Sequence, residues 1–234
     1  MKLDVVPPDT LGSRAAQVIA ERLRAAIDAR GVATLAVSGG STPASMLASL
    51  ARLQDVDWGR VHLFQVDERV APDGHEDRNH TLLQRTFLEV APIPTANVHP
   101  MDVAGGDPVL AATDYEQQLR EIAGDPPMLD VVQLGLGGDG HTASLVPGDH
   151  VLEVEDREVA VTEPYDGRRR LSMTRPLLRR ARARIWLVSG GGKAVAVARL
   201  LAGDQRLPAS RVARDEDLLL LDPPAAARLD DRAT

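Results

Sequence analysis

Three short apolar segments of this chain each run directly into a glycine-rich turn, and that repeated junction constrains the fold more than any other feature. Residues 32–37 lead into Ser38-Gly39-Gly40-Ser41, residues 129–134 into Gly135-Leu136-Gly137-Gly138-Asp139-Gly140-His141, and residues 185–188 into Ser189-Gly190-Gly191-Gly192-Lys193. Such strand-to-turn junctions belong to open parallel sheets, whose ligands sit outside the carboxyl ends of the strands. Glycines there let backbone N–H groups approach a ligand closely, and the N-terminus of a following helix favours an anion. Three such turns at one sheet edge predict a single site for a phosphorylated small molecule.

The intervening sequence supplies the helices. Leu11, Ala15, Val18, Ile19, Leu23, Ala26 and Ile27 recur at helical spacing over 10–30, and Gly31 is the stop. Further helices are predicted over 43–53, from Asn79 through Leu82, Leu83, Phe87 and Leu88, over 107–123, from Lys193 to Leu201, and over 223–229. Further strands are predicted at 61–66, 97–99, 159–162, 170–173 and 218–221, while 67–78 reads as a polar connection. Alternating strands and helices give an α/β fold: a single open, largely parallel, Rossmann-like sheet with helices on both faces. With no linker, repeat or low-complexity segment, 234 residues fit one domain spanning 1–234, with 230–234 expected to fray.

Composition removes several classes of function. The absence of cysteine excludes a disulfide framework and thiolate chemistry. The amino terminus has no apolar leader region, and no apolar run reaches the ~18 residues of a membrane span, so a soluble cytoplasmic protein without a membrane partner is expected. A net charge of −7 argues against nucleic acid. Arg168, Arg169, Arg170, Arg175, Arg179, Arg180, Arg182 and Arg184 form a local basic run, read for the most part as a solvated helix face. No aromatics interleave with them to stack bases. No obligate protein partner is evident.

The chemistry-bearing residues cluster at the predicted strand ends. Ser38, Gly39, Gly40, Ser41, Thr42 and Pro43 combine a turn, hydroxyls and a proline suited to a first helical turn, which suits a phosphate or sugar cradle; the plainer alternative is that Ser41 or Thr42 only caps the helix. Arg69 of Asp67-Glu68-Arg69 can grip a phosphate or carboxylate, and Asp67 can orient a hydroxyl or act as a base; a surface ion-pair cluster is the alternative. Asn79 reads as a helix cap. Residues 135–140 spell G-x-G-x-x-G, but Pro147 and Gly148 leave no room for the long helix a dinucleotide site needs. His141 leaves that turn at the ligand edge beside Asp139, a place for an acid–base group rather than a core histidine. Asp139 and His141 are too few for zinc, and His75 and His80 lack ligand spacing, so no metal is expected. Lys193, at a helix start but outside the spacing of a nucleotide phosphate loop, supplies a point charge for a phosphate; a surface lysine is the alternative.

Taken in order, V-S-G-G-S-T-P, D-E-R followed by Asn79, G-L-G-G-D-G-H-T-A-S-L-V-P-G, R-L-S-M-T, W-L-V-S-G-G-G-K and Pro208-Ala209-Ser210 resemble the 6-phosphogluconolactonases, within the wider glucosamine-6-phosphate isomerase superfamily. The likeness spans nearly the whole chain. It implies hydrolysis of 6-phospho-D-glucono-1,5-lactone in the oxidative pentose phosphate pathway, with no cofactor. It also implies His141 as general base and substrate or phosphate contacts at Ser38, Gly39, Gly40, Ser41, Thr42, Arg69, Arg170 and Lys193. Gln65-Val66 stands where the family commonly has Trp-Gly, and Val146 where it commonly has Phe; both departures bear on pocket shape.

On that resemblance, His141 takes a proton from water attacking C1 and returns it to the departing ring oxygen. Asp139 or Asp67 holds the imidazole or a substrate hydroxyl, and backbone N–H groups of Gly137, Gly138 and Gly140 meet the oxyanion. The nearest alternative is a glucosamine-6-phosphate deaminase or isomerase; the related enzymes carry a glutamate five residues after the histidine, where this chain has Val146. The other is a non-catalytic sugar-phosphate sensor. Regulators of that kind carry a DNA-binding helix-turn-helix, for which the nine residues before the first predicted helix leave no room.

Overall fold

The strands in chain order are β1 (Lys2–Val5), β2 (Ala33–Val37), β3 (Val61–Gln65), β4 (Asp67–Arg69), β5 (Val98–His99), β6 (Val131–Leu134), β7 (Val159–Val161), β8 (Arg170–Met173), β9 (Ala183–Val188) and β10 (Leu218–Leu221). They come from a computed structural model that describes residues 1–229, so the expected fraying of 230–234 lies outside the described residues. A seven-stranded sheet has the order β1-β10-β9-β6-β2-β3-β5, and every neighbouring pair in it is parallel.

Alternate side chains of these strands feed two cores, as the period of two requires. On one face, α1 (Pro8–Arg30) and α2 (Ser41–Leu50) set Leu11, Ala15, Ile19, Leu23, Met46 and Leu47 against Leu35, Val37, Leu63 and Leu187. The short α3 (Asn79–Leu83) adds Leu83 to that side. On the other face lie α4 (Pro108–Ala123), α5 (Arg175–Arg180), α6 (Ala194–Leu201), α7 (Pro208–Val212) and α8 (Pro223–Ala226). Their Tyr115, Leu119, Leu177, Val197, Val212 and Ala225 share a core with Ala36, Phe64, Trp186 and Val188. The expected α/β class, parallel sheet and two-sided helix cover all stand. No helix of the described residues is long and apolar enough to cross a membrane.

The expectation of a single sheet needs correcting. A three-stranded antiparallel sheet, β4-β8-β7, sits beside the large one, and its first strand lies in the predicted polar connection. Strand β4 is Asp67-Glu68-Arg69, which offers no apolar alternation to read. Its partner β8 forms with β7 a hairpin whose turn places Asp166 (φ 49°) and Gly167 (φ 77°) in succession in the left-handed region. Asp-Gly favours that primed turn, and it was the available signal for the hairpin. Val66 joins the two sheets: its N–H donates to the Val37 carbonyl of β2, and its own carbonyl accepts from Met173 N–H of β8.

Glu68 fixes the direction of β4. Its fully buried carboxylate accepts the N–H groups of Asn79 (2.7 Å) and His80 (2.8 Å) at the start of α3, and that of Arg69 (2.8 Å). It also accepts from Gln65 Nε2 (3.0 Å) and pairs with buried Arg78 (3.1 Å). Because successive strand residues face opposite ways, anchoring Glu68 inward turns Asp67 and Arg69 to the other side.

The basic run is not a solvated helix face. Arg170 is in β8 and buried; Arg184 is in β9, buried, and paired with Asp217 at 2.7 Å. Of the eight, only Arg169 and Arg182 are exposed. Buried arginines demand carboxylates and carbonyls around them, and sequence spacing does not reveal those partners.

Replacing Glu68 by Ala removes the buried carboxylate beside Arg78, leaving it only the exposed Asp73 at 2.9 Å, and uncaps α3. The expected loss is about 3–5 kcal/mol of unfolding free energy, read by denaturant titration of Trp58 and Trp186 fluorescence. An unchanged midpoint contradicts the anchoring role.

Candidate active site

The carboxyl ends of β2, β3, β6 and β9 converge on a cavity of about 240 Å³. From β2 the chain adds β3 and β5 on one side; β6, β9, β10 and β1 lie on the other. The strand order therefore reverses between β2 and β6, where ligands of open α/β sheets bind. Ser38 closes that seam, donating its hydroxyl to the Gln133 carbonyl and its N–H to Gln133 Oε1, both at 3.1 Å.

All three glycine turns reach the cavity. Its lining includes Ser38, Gly39, Gly40, Ser41 and Thr42 from the first, Gly137 and His141 from the second, and Ser189 and Lys193 from the third. Asp67, Arg69, Asn79 and Arg170 complete it from the small sheet and α3. Asp139 stands just behind His141. No α-helix follows the second turn before α5, consistent with rejecting a dinucleotide fingerprint.

The His141 imidazole is braced from one side. Its Nδ1 lies 2.7 Å from Asp139 Oδ1, and the same oxygen accepts the His141 backbone N–H at 3.1 Å. Partial burial opposes the Asp139 charge, but these two bonds and the attraction of the imidazole outweigh it, holding the carboxyl below the usual carboxylate range. An ionised Asp139 places the proton of a neutral imidazole on Nδ1 and leaves Nε2 as the acceptor. Gly137 makes room for this pair: a Cβ there would lie 2.2 Å from Nδ1 and 2.5 Å from Asp139 Oδ1.

The cavity's charge is dominated by cations. Arg69 of β4 and Arg170 of β8 are directly opposed across an antiparallel pair, an arrangement that repels unless something intervenes. Burial, and then the charge of Arg69, lower the pKa of Arg170. Arg69 donates to Asn79 Oδ1 and the Asp77 carbonyl, both at 2.9 Å, while the buried Nε atoms of Arg69 and Arg170 have no hydrogen-bond partner. Lys193 forms no ion pair among the described residues. Gly40 is the N-cap of helix α2 and no side chain caps it, so the first N–H groups of the helix stay open at the cavity wall.

Several expected roles change. Asp67 does not reach the imidazole; it accepts from Ser144 Oγ (2.6 Å) and Asn79 Nδ2 (3.2 Å), and burial pushes its pKa up against the pull of Ser144, Arg69 and Arg170. Gly137 and Gly140 are not free oxyanion donors, because their N–H groups bond within the turn to the His141 and Gly137 carbonyls. Of the three proposed donors only Gly138 keeps an unpaired N–H among the described residues, and it packs against the Gly192 carbonyl instead of lining the cavity. Neither Ser41 nor Thr42 caps α2, and Asn79 does not cap α3: its amide bridges Arg69 and Asp67. Gln65, Val66 and Val146, the departures thought to bear on pocket shape, all lie outside the lining.

Three contributors were not foreseen. Asp222 clamps the third turn, accepting from Ser189 Oγ (2.5 Å) and Gly190 N–H (2.9 Å). Asn79 joins the cavity wall, where a Cβ on Gly39 would fall 1.9 Å from its Oδ1. Tyr165 of the hairpin turn donates to Asp139 Oδ2 at 3.3 Å. Asp139 and His141, whose spacing raised the question of a metal, bond to each other, and no cluster of three potential ligands occurs among the described residues.

Residues 7–220 match the glucosamine-6-phosphate isomerases/6-phosphogluconolactonase family. The chain belongs to that family. It is 39% identical over 224 residues to a Synechocystis 6-phosphogluconolactonase, covering 92% of each chain. It is 40% identical over 234 residues to the Mycobacterium tuberculosis 6-phosphogluconolactonase, covering 94% of this chain and 95% of that one. The solved 6-phosphogluconolactonase from Trypanosoma brucei superposes with a TM-score of 0.85 at 26% identity, over 97% of this chain and 98% of that one.

Gly137→Ala is expected to push the imidazole off Asp139. In histidine-labelled protein, the protonated Nδ1 resonance of His141 should shift or broaden while the fold stays intact by circular dichroism. An unaltered resonance contradicts the contact.

Proposed function

We propose that this chain is a 6-phosphogluconolactonase that opens its lactone with water activated by His141. The observation that carries the reading is that an Asp139-braced imidazole and three cations, Arg69, Arg170 and Lys193, face a single cavity. A lactone phosphate held by those cations and the open N-terminus of α2 fixes the ester carbon against the base. Such positioning removes part of the entropic barrier.

Nε2 of neutral His141 takes a proton from a water molecule as the oxygen attacks C1. The C1–O ring bond then breaks, and the imidazolium returns the proton to the departing oxygen, giving the open acid. Asp139 keeps its charge throughout and stabilises the transient imidazolium. Negative charge developing on the carbonyl oxygen meets the positive lining, where Arg69, Arg170 and Lys193 outnumber Asp67. Asp67, fixed by Ser144 and Asn79, faces a substrate hydroxyl rather than the imidazole. Residues 1–234 act as one sugar-phosphate-binding unit, located in the cytoplasm and working without an obligate protein partner.

The deaminase reading lacks its relay. Val146, at the position where those enzymes carry glutamate, is buried and away from the cavity.

Acid release from freshly prepared 6-phosphogluconolactone, above its spontaneous opening, tests the activity. His141→Ala should lower kcat by roughly 10²–10⁴. Lys193→Ala should raise KM for the phosphorylated lactone far more than for an unphosphorylated one. Unchanged turnover in the first variant, or equal effects on both lactones in the second, contradicts the assigned roles.

A further inference from the structure

Tyr165 touches both working parts of the cavity. Its ring meets the His141 imidazole edge to face, with centroids 5.7 Å apart and planes at 68°. The Arg170 guanidinium carbon lies 4.9 Å from the ring centroid, within the range of a cation–π contact. Its hydroxyl donates to Asp139 Oδ2 at 3.3 Å, whereas the two His141 bonds both fall on Oδ1. Among the described residues, Tyr165 is thus the only side chain bonded to the second Asp139 oxygen.

The hairpin makes these contacts rigid. Tyr165 N–H donates to the Arg168 carbonyl at 2.9 Å, and Arg168 N–H donates back at 3.3 Å, closing the two-residue Asp166-Gly167 turn. Arg170 follows two residues later on β8, so ring and guanidinium are held by one short hairpin. Burial, then the charges of Asp139 and Asp166, raise the pKa of the phenol, which keeps it a donor at neutral pH.

We infer that Tyr165 is a positioning residue that ties the anion-holding Arg170 to the orientation of the His141–Asp139 pair. The hydroxyl stops the carboxylate from rotating away from the imidazole, and the ring carries the guanidinium. The inference rests on the reading of His141 as the base and Arg170 as a phosphate contact. It adds a residue whose two halves have separable effects.

Tyr165→Phe removes the hydroxyl and keeps the ring. It should lower kcat by about 3- to 10-fold, the worth of one modest hydrogen bond, with KM for the phosphorylated lactone unchanged. The acid limb of the kcat profile should also move to higher pH, because an Asp139 relieved of a donor attracts the imidazolium more strongly. Tyr165→Leu removes both halves and should raise KM as well. A Tyr165→Phe enzyme with wild-type kcat and pH profile overturns the inference, as does one indistinguishable from a folded Tyr165→Leu. Should the leucine variant not fold, the phenylalanine variant alone decides.

A substrate-free measurement separates this inference from the proposed activity. In ¹⁵N-histidine-labelled protein, the His141 titration midpoint should rise in Tyr165→Phe whether or not the chain hydrolyses the lactone. If wild-type protein releases no acid from the lactone but the midpoint moves, the functional reading fails and the coupling stands. An unmoved midpoint removes the coupling even in an active enzyme.

Discussion

All seven strands of the main sheet run the same way, so their carboxyl ends and the turns that follow them lie along one edge. Everything at the cavity depends on that constraint. The three glycine turns leave β2, β6 and β9, which are neighbours in the sheet, although they are far apart in sequence. The backbone hydrogen bonds of the sheet bring His141 and Lys193 together. Helices on both faces supply the apolar burial that sustains it, the sheet contributing alternate residues to each core.

The small antiparallel sheet adds what the parallel one cannot. Opposing Arg69 and Arg170 concentrates positive charge at one wall, and like charges in register cost stability. Asp67, the Asn79 side-chain Oδ1 and the Tyr165 ring offset part of that cost. The rest is what a bound anion can relieve. Arg69 and Arg170 are held in the cavity wall by their place on paired strands before any ligand arrives, which limits reorganisation on binding. The same logic holds at the base: Gly137 leaves space, Asp139 orients the ring, and Nε2 remains available.

What could be read from sequence followed from periodicity and from turn chemistry. The strand ends with their glycines gave the ligand edge and singled out His141, Lys193 and the 38–42 turn. The polar strand β4 escaped notice because Asp67, Glu68 and Arg69 present no apolar alternation, and its place is set by a buried carboxylate network that only tertiary structure assembles. Arginine spacing suggested an exposed face, yet Arg170 and Arg184 are buried by partners elsewhere in the chain. Two glycines proposed as oxyanion donors serve the turn itself, a distinction that requires knowing where each N–H points. Tyr165 was legible only indirectly, through the Asp166-Gly167 dipeptide beside it.

If one imidazole and several cations share a ligand, that ligand must bridge them. A crystal structure with 6-phosphogluconate bound measures this directly. The expected arrangement has the C1 carboxylate within about 2.6–3.2 Å of His141 Nε2, with the phosphate on Arg170, Lys193 and the start of α2. A phosphate seated elsewhere, or a C1 carboxylate out of reach of the imidazole, contradicts the shared site.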